Sequence, residues 1–284
     1  VIIGTFLFCT NFYYFYGHIS DHTFYALLGT IPIAAVGLFD DLSRASLRLR
    51  LLIQFLAVFW VIFWFEGVPS IDFSLFEITN RWVLMFLGVV SVVWLLNLYN
   101  FMDGIDAIAA TELLFVNAMS SIFAIQAGDL ALALLSASLF AASAGFLVWN
   151  WPPAKLFMGD VGSSSIGFIL GVLALASMHS GTLTAWTWLI LLGVFVADSG
   201  VTLIVRFVNK EKWHEGHSCH AYQNAARRWG SHERVVVWML LVNLIWLAPL
   251  SWLSFLYPEN GFYICFVALT PLVYLCMKYK AGVR

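Results

Sequence analysis

Long runs of apolar residues, separated by short polar stretches, extend from one end of the chain to the other. A run of about 20 apolar residues is long enough to cross a bilayer as an α-helix. The pattern therefore predicts about ten transmembrane helices. Their predicted limits are 1–17, 22–39, 49–66, 82–100, 106–126, 129–150, 163–179, 182–206, 234–257 and 262–279.

The continuity of these runs decides between the two kinds of membrane fold. The run WVLMFLGVVSVVWLL at 82–96 lacks the alternation of apolar and polar residues that a barrel strand requires. Composition agrees, with 62% hydrophobic and 11% charged residues and a mean hydropathy of +0.88, which are not the values of soluble domains. We predict an all-α fold, a polytopic membrane helical bundle that forms a single transmembrane domain over residues 1–284.

The basic residues are distributed unequally between the two sides of this topology. Short loops rich in Lys and Arg remain in the cytoplasm, so the side that carries nearly all of them is predicted to be cytoplasmic, and only Arg81 lies on the other side. The net charge of −2 conceals this asymmetry, which favours anionic ligands or lipid head groups over nucleic acid. The basic residues of the predicted cytoplasmic side are Arg44, Arg48, Arg50, Lys155, Arg206, Lys210, Lys212, Arg227, Arg228, Arg234, Lys278, Lys280 and Arg284.

Four polar segments lie on the predicted cytoplasmic side, and the first is GLFDDLSRASLRLRLLIQ at 37–54. Asp40 and Asp41 follow an apolar helix in this segment. Adjacent carboxylates repel each other unless a cation or an arginine lies nearby. The pair predicts either a metal or base site, or a capping turn with solvated charge.

The second segment, NLYNFMDGIDAIAATE at 97–112, spaces its polar residues by three. Asn97, Asn100 and Asp103 fall on adjoining helix faces, Gly104 can end the helix, and Asp106 then begins the next. Amide and carboxylate oxygens are ligands that Mg²⁺ prefers. The alternative is a polar helix cap, but ionisable groups at membrane depth are costly and usually functional, which favours a site.

The third segment is NWPPAKLFMGDVGSSSIG at 150–167, in which Asp160 lies between small residues. The run 162–165 can open a helix whose free backbone N–H groups favour phosphate, or it can be a plain serine N-cap. The lysine of a Walker motif is missing, so the segment is not a P-loop.

The fourth segment, 206–234, is the longest polar loop and carries four histidines. Spacing of three between His214, His217 and His220 is compatible with a metal site, with phosphate binding beside arginines, or with a solvated loop. The four cysteines form no CxxC pair, which argues against a cysteine zinc site or a disulfide framework. Asp198, in an apolar run before this loop, requires a partner, which either a site or an interhelical hydrogen bond would supply.

Taken together, the four segments resemble the polyprenyl-phosphate N-acetylhexosamine-1-phosphate transferase family, which includes phospho-MurNAc-pentapeptide transferase. The HAYQ sequence after the last motif is similar to the O-antigen-initiating branch. The resemblance covers residues 37 to about 234. The matching motifs are Asp40-Asp41, Asn97-x-x-Asn100-x-x-Asp103-Gly104-Ile105-Asp106, Phe157-Met158-Gly159-Asp160-x-Gly162-Ser163 and His217-x-x-His220.

The resemblance implies an activity and its ligands. The enzyme would move a sugar-1-phosphate from a UDP-N-acetyl sugar to undecaprenyl phosphate and release UMP. It would lie in the bacterial inner membrane with its active site toward the cytoplasm, and it would use Mg²⁺, with Mn²⁺ as the alternative. The lipid bilayer is the remaining expected partner, no nucleic acid is expected, and a homodimer is left open.

The resemblance also implies residue roles. Asn100 and Asp160 would hold Mg²⁺ on the pyrophosphate. The implied catalytic residues are Asp40, which would prepare the lipid phosphate as nucleophile, together with Asp41, Asp103, His217 and His220. The implied substrate-binding residues are Asn97, Asp106, Phe157, Arg50 and Arg227, with Phe157 stacked on the uracil and Asp106 at its edge. Phosphoryl transfer needs positioning and charge neutralisation more than covalent help, which suits this set.

Two departures from the family pattern bear on activity. The family's further N-terminal helix and its Pro-x-x-Arg-Gly-Gly segment do not occur in this sequence, so we expect the chain to be incomplete at its start. Ser218 stands where many relatives have Arg, and Arg227 or Arg228 could replace the lost phosphate donor. The alternatives are a transporter or flippase for an anionic lipid or metabolite, a metal-assisted phosphatase, and an inactive homologue.

Overall fold

The computed structural model describes residues 1–43, 45–211 and 218–283. These residues form a bundle of helices with one small hairpin of strands outside it. The helices are α1 (Ile2–Phe15), α2 (Asp21–Leu28), α3 (Thr30–Ser43), α4 (Leu47–Trp64), α5 (Arg81–Met102), α6 (Ile108–Ala127), α7 (Leu130–Asn150), α8 (Gly159–His179), α9 (Ala185–Leu191), α10 (Gly193–Val208), α11 (Ala221–Trp229), α12 (His232–Val242), α13 (Ala248–Leu256) and α14 (Gly261–Lys278).

Two short helical segments and two strands complete the fold. A π-helix, Asn243–Leu247, joins α12 to α13, and a 3₁₀ turn, Pro258–Asn260, precedes α14. The strands β1 (Ile71–Asp72) and β2 (Glu77–Ile78) pair antiparallel, with Ile71 opposite Ile78. They connect α4 to α5, and the indole N–H of Trp186 on α9 donates to the carbonyl of Asp72 at 2.6 Å.

The described residues include eight helices that are long and apolar enough to cross a membrane. Two of them combine consecutive helices, since α2 and α3 form one span and α12 and α13 form another. The predicted all-α polytopic bundle is confirmed. The remaining six spans correspond to α4, α5, α6, α7, α8 and the segment Pro258–Lys278.

The structure differs from the predicted ten spans in two places. The predicted span 182–206 consists of α9 and α10, which are bent by 86° relative to each other, and counting this pair as one span brings the described total to nine. The predicted span 1–17 is a 14-residue helix, about 21 Å long at 1.5 Å per residue, which is shorter than the ~30 Å hydrocarbon core.

The bend between α9 and α10 has no sequence marker such as proline. Leu192 leaves the helical conformation with φ −91° and ψ 14°. A Cβ on the next residue, Gly193, would lie 3.0 Å from Leu247 and 3.3 Å from Leu269. Side chains from the π-helix and from α14 therefore fill the space beside the bend. The bend is thus associated with packing between helices that are distant in sequence.

Close packing of α8 between α3 and α5 positions the polar ends of all three helices. A Cβ at Gly37 on α3 would lie 2.8 Å from the backbone of Val161. A Cβ at Gly167 on α8 would lie 2.7 Å from the backbone of Leu96 on α5. Small residues allow helix backbones in membrane proteins to approach this closely. As a result, the end of α3, the end of α5 and the start of α8 meet.

Candidate active site

Carboxylates from α3 and α8 and an amide from α5 lie together where these helices meet. Asn100, in the last turn of α5, donates its side-chain amide to Asp160 Oδ1 at 2.8 Å and to Ser163 Oγ at 2.9 Å. Ser163 in turn donates to the carbonyl of Gly159 at 2.9 Å. Asp160 is therefore held in place by a short hydrogen-bond network at the start of α8.

Arg50 links two of the carboxylates. Its Nη1 lies 2.5 Å from Asp40 Oδ2 and 3.4 Å from Asp160 Oδ2. The other oxygen of Asp40 accepts the backbone N–H of Ala45 at 2.7 Å. A single guanidinium thus neutralises part of the charge of two acids that would otherwise repel each other. Asp40 and Asp41 lie within the last turn of α3, not in a turn after the helix as the sequence predicted.

Asp41 caps the start of α8 from a neighbouring helix. Its two carboxylate oxygens accept the backbone N–H groups of Asp160 at 3.0 Å and Val161 at 3.2 Å. A carboxylate at this position satisfies free N–H groups and complements the positive end of the helix dipole. In the structure, the second carboxylate of the Asp pair therefore has a capping contact.

Both sequence interpretations of the run 162–165 are wrong. Gly159 has a positive φ of 67° and begins α8, so this run lies inside the helix. Ser163, Ser164 and Ser165 are buried and none of them is the N-cap of α8. The helix starts three residues earlier because Gly159 can adopt this conformation beside the capping carboxylate.

A cavity of about 290 Å³ opens in front of this group. Asp103 and Asp106 line it together with Asn100, Asp160 and Phe157, a residue that is 71% exposed. Burial, and then the neighbouring charge of Asp160, raises the pKa of Asp103 to about 8. The cavity therefore combines carboxylates with one exposed aromatic ring.

Asp106 lies in the turn between α5 and α6 and does not begin α6. Ala107, with a φ of 66°, precedes the helix, which begins at Ile108. The Asp106 carboxylate accepts the backbone N–H of Ala154 at 3.2 Å, and it lies 3.4 Å from Nδ1 of His232. His232 was only one of several loop histidines in the sequence, and no spacing pointed to its position beside Asp106.

A second cavity of about 710 Å³ adjoins the first. Asp106 and His232 line both cavities. Arg227 lines the second, and its guanidinium donates to the carbonyl of Ser218 at 2.6 Å and to the Asn224 side chain. The start of α12 and the end of α11 form one wall of this space.

His220 lies away from these cavities in a buried cluster with Asp198. Its Nδ1 is 3.3 Å from Asp198 Oδ1, and the Asp198 carboxylate accepts the backbone N–H groups of Ala221 and Tyr222, each at 2.9 Å. Of the two readings of Asp198, the structure favours the interhelical hydrogen bond, since the carboxylate caps α11. His217, the other predicted histidine, lies outside the described residues.

Tyr222 connects this cluster to the second segment. Its hydroxyl donates to the carbonyl of Phe101 at 2.9 Å, and a Cβ on Gly104 would lie 2.2 Å from the same hydroxyl. Burial and the charges of Asp198 and Asp103 raise the pKa of Tyr222 well above its ordinary value. Gly104 is therefore needed to let α11 approach, whereas α5 itself ends at Met102 with Asp103 as its C-cap.

Asn97 pairs with Gln54, a buried residue outside the four motifs. Its amide donates to Gln54 Oε1 at 2.9 Å and to the carbonyl of Val93 at 2.7 Å, and the Gln54 amide lies 3.4 Å from Asn97 Oδ1. Gln54 is buried on α4. A lone amide in the apolar sequence of α4 was the available signal for this pair.

The donor set at Asp160 fits a hard divalent cation. Mg²⁺ is usually bound by one or two carboxylates, with water and substrate phosphates completing its shell. Asp160 and Asp103 bring carboxylates to one cavity, which Asn100 also lines. Among residues 1–43, 45–211 and 218–283, no group of three or more His, Cys, Asp and Glu side chains has the geometry of a metal site.

Comparison with known proteins adds a family to this description of a polytopic membrane protein with an acidic site at its helix ends. The model of glycosyl transferase family 4 matches residues 23–178, which is more than half of the chain. The chain belongs to this family.

Named relatives fall into two groups. The chain is 28% identical to a Bacillus subtilis protein named "Probable undecaprenyl-phosphate N-acetylglucosaminyl 1-phosphate transferase", over 77% of this chain and 62% of that protein. It is 28% identical to the undecaprenyl-phosphate alpha-N-acetylglucosaminyl 1-phosphate transferase of Thermotoga maritima, over 84% and 74%. It is also 28% identical to the phospho-N-acetylmuramoyl-pentapeptide-transferase of Gluconacetobacter diazotrophicus, over 64% and 57%. The chain thus spans less than two thirds of the Bacillus subtilis relative.

Proposed function

We propose that this chain transfers an N-acetylhexosamine-1-phosphate from a UDP-sugar to undecaprenyl phosphate and releases UMP. The observation that carries the proposal is the meeting of α3, α5 and α8, where Arg50 bridges Asp40 and Asp160 and Asn100 holds Asp160. The names of the Bacillus subtilis and Thermotoga maritima relatives support the same acceptor and transfer.

In this proposal, Asn100 and Asp160 hold Mg²⁺ or Mn²⁺, with Asp103 at the same cavity. The bound cation supplies charge neutralisation on the pyrophosphate of the donor. Phosphoryl transfer depends mainly on such neutralisation and on in-line positioning. Asp41 supports the site by capping α8, which fixes the position of the Asp160 backbone.

Asp40 and Arg50 are assigned to the lipid phosphate. Asp40 would accept a proton from the phosphate of the lipid acceptor, and the deprotonated phosphate oxygen would be the nucleophile. Arg50 would contact oxygens of the same phosphate. Phe157 and Asp106, which line the cavity beside Asp160, would bind the uracil by stacking and by hydrogen bonding at its edge. Arg227 lies on the wall of the adjoining cavity and would contact phosphate oxygens of the UDP-sugar.

The acceptor is a membrane lipid and the donor is soluble in water, so the reaction requires a site at a membrane boundary. We assign the site to the cytoplasmic side of a bacterial inner membrane because of the Lys and Arg distribution. By its HAYQ sequence, the chain is assigned to the initiation of O-antigen or related cell-envelope glycans.

The direct test measures UMP release by the purified protein from a panel of UDP-N-acetyl sugars, with undecaprenyl phosphate and Mg²⁺. We expect release that requires both the lipid and the divalent cation. Asp160→Asn should reduce it to background while the protein stays folded, and Asp21→Asn, a change on the opposite side of the bundle, should leave it unchanged. Full activity of Asp160→Asn would reject the metal assignment.

Other outcomes of the same preparation identify the alternatives. Translocation of an anionic lipid or metabolite in reconstituted vesicles, without UMP, would replace the proposal by a transporter. Phosphate release without any UDP-sugar would replace it by a phosphatase.

A second candidate is phospho-MurNAc-pentapeptide transfer, which the names of several relatives favour. The chain is 31% identical to one such Streptococcus pyogenes protein over 154 residues, or 53% of this chain. Including UDP-MurNAc-pentapeptide in the donor panel separates the two. UMP release from this donor alone would favour the second candidate.

A further inference from the structure

A carboxyl group lies inside the bundle, apart from the candidate active site. Glu112 is in the second turn of α6, and Asn243 is the first residue of the π-helix between α12 and α13. Both residues are fully buried. The Asn243 amide donates to Glu112 Oε2 at 2.6 Å.

The other oxygen of each side chain lacks a hydrogen bond. Within the described residues, neither Glu112 Oε1 nor Asn243 Oδ1 has a partner. A buried acceptor without a donor is costly, and here two such acceptors belong to the same pair. A carboxylate and an amide therefore leave this pair one donor short.

Among the described residues, no cation pairs with Glu112. Across the described chain, the ion pairs of the structure do not include Glu112. Of the helices packed against α6, α7 and α9 contain no titratable residue, and those of α12 (His232, Glu233 and Arg234) lie at its start. On α5, Tyr99 faces Glu112, but its hydroxyl donates to the carbonyl of Ala109 at 2.7 Å. An ionised Glu112 would be a buried charge without a counter-ion.

We propose that Glu112 is a protonated acid at neutral pH and forms a cyclic pair with Asn243. The acid O–H on Oε1 donates to Asn243 Oδ1, while the amide N–H donates to Oε2. The proton comes from the solvent when the helix pair assembles. Both unpartnered oxygens then take part in a hydrogen bond, and no further residue is needed. Buried polar groups in proteins are normally hydrogen-bonded in this way.

The pair acts as a positioning contact between two helices that frame the candidate active site. Helix α6 begins directly after the Asp106 turn, and α12 begins at His232 beside Asp106. Asn243 also begins the π-helix. Helices of this form are rare in proteins, and those that occur often lie at functional sites. The cyclic pair fixes α12 relative to α6, and this holds whether or not the proposed transfer reaction is correct.

Infrared spectroscopy of the purified protein detects the proton directly. The difference spectrum between the unchanged protein and Glu112→Gln at pH 7 should contain the carbonyl stretch of a protonated carboxylic acid. The carboxylate stretch in its place would overturn the proposal. This readout does not depend on catalytic activity.

Thermal unfolding tests the cyclic geometry. Glutamine can donate one bond and accept the other, so Glu112→Gln should unfold within about 2 °C of the unchanged protein at pH 7. Asn243→Ala breaks the pair and should lower the Tm by about 4–8 °C. Asn117→Ala is the matched control, because Asn117 is a buried amide of α6 that bonds only within its own helix. A Glu112→Gln loss as large as that of Asn243→Ala would contradict the pair.

The pH dependence separates protonation from packing. The Tm of the unchanged protein should fall more steeply between pH 7 and 9 than that of Glu112→Gln, because only glutamate can ionise. Asp103 is present in both proteins, so its titration cancels in the comparison. Identical slopes would indicate that Glu112 does not hold the proton.

Discussion

Asp103 lies directly after α5, where its carboxyl is enclosed beside Asp160, and its pKa is raised to about 8. An ordinary aspartate in an unfolded chain has a pKa of about 3.9. The folded protein therefore binds a proton at this position more strongly than the unfolded chain does. The associated stability is fully present below about pH 4 and is lost as the pH rises through about 8.

We expect the Tm of the cation-free protein to fall by several degrees between pH 5 and 9, in part because Asp103 ionises. Asp103→Asn removes this titration, and its Tm should change less over the same range. Differential scanning fluorimetry at a series of pH values, with a chelator present, measures both slopes. Equal slopes would show that Asp103 ionises with its ordinary pKa.

Gly159 combines two reasons for the absence of a side chain. Its φ of 67° is strained for other residues, and a Cβ would lie 2.9 Å from the capping carboxylate of Asp41. We expect Gly159→Ala to destabilise the protein by about 1–3 kcal/mol and to displace Asp160, which reduces any UMP release.

Gly128→Ala is the control for this prediction. Gly128 has a similar φ of 78°, but a Cβ there meets no atom within 4 Å. The two variants therefore share the backbone strain and differ in the contact with Asp41. If both lower the Tm equally and neither affects activity, the cap does not position Asp160.

Helix α11 depends on a carboxylate from another helix. Asp198 on α10 accepts the N–H groups of Ala221 and Tyr222 and lies beside His220. Asn in its place would offer one acceptor oxygen and present an NH₂ group to donors. We expect Asp198→Asn to cost about 1–3 kcal/mol and to reduce UMP release, because α11 forms part of the wall that carries Arg227.

Thr202→Val is the matched control, since the Thr202 hydroxyl donates to the same carboxylate at 3.2 Å but caps no helix. Thermal unfolding and the UMP assay should both place it between the unchanged protein and Asp198→Asn. An Asp198→Asn protein with unaltered Tm and activity would exclude a positioning role for the cap.

The sequence predicts a helix well when local residues set its limits, and poorly when contacts with other helices set them. Helices α4, α5 and α7 match their predicted spans closely, because the residues before them, Ser46, Asn80 and Asp129, are side-chain N-caps at the ends of apolar runs. The bend at Leu192 and the π-helix at Asn243 were not predicted. Both arise from contacts between helices, which local hydrophobicity does not contain.

In the candidate site, the sequence likewise predicted which residues matter but not which of them are in contact. The residue types of Asp40, Asn100 and Asp160 were enough to select them, since charged and amide side chains are rare at membrane depth. Their individual contacts were not predictable, because Asp41 and Asp160 are 119 residues apart in sequence. The side chains that meet were decided by the close packing of α8 against α3 and α5.

The bundle has two chemically different ends, which allows its orientation to be tested. The β-hairpin carries Leu75, which is 83% exposed, and the opposite end carries the exposed Arg228 of α11. With the site in the cytoplasm, a membrane-impermeant maleimide should label Leu75→Cys in intact spheroplasts and Arg228→Cys only after permeabilisation.

The unsubstituted protein is the control for labelling, because Cys219, Cys265 and Cys276 are buried and Cys9 is partly exposed. The reverse pattern, with Arg228→Cys labelled first, would place the acidic site outside the cytoplasm. A soluble nucleotide donor could then not reach it from the cell interior.

The guanidinium shared by Asp40 and Asp160 has a consequence for the bundle. It is a resident counter-ion that joins the end of α3 to the start of α8. One guanidinium cannot balance two carboxylates, so this group of side chains keeps an excess of negative charge, and under the proposed function a divalent ion at Asp160 would reduce it.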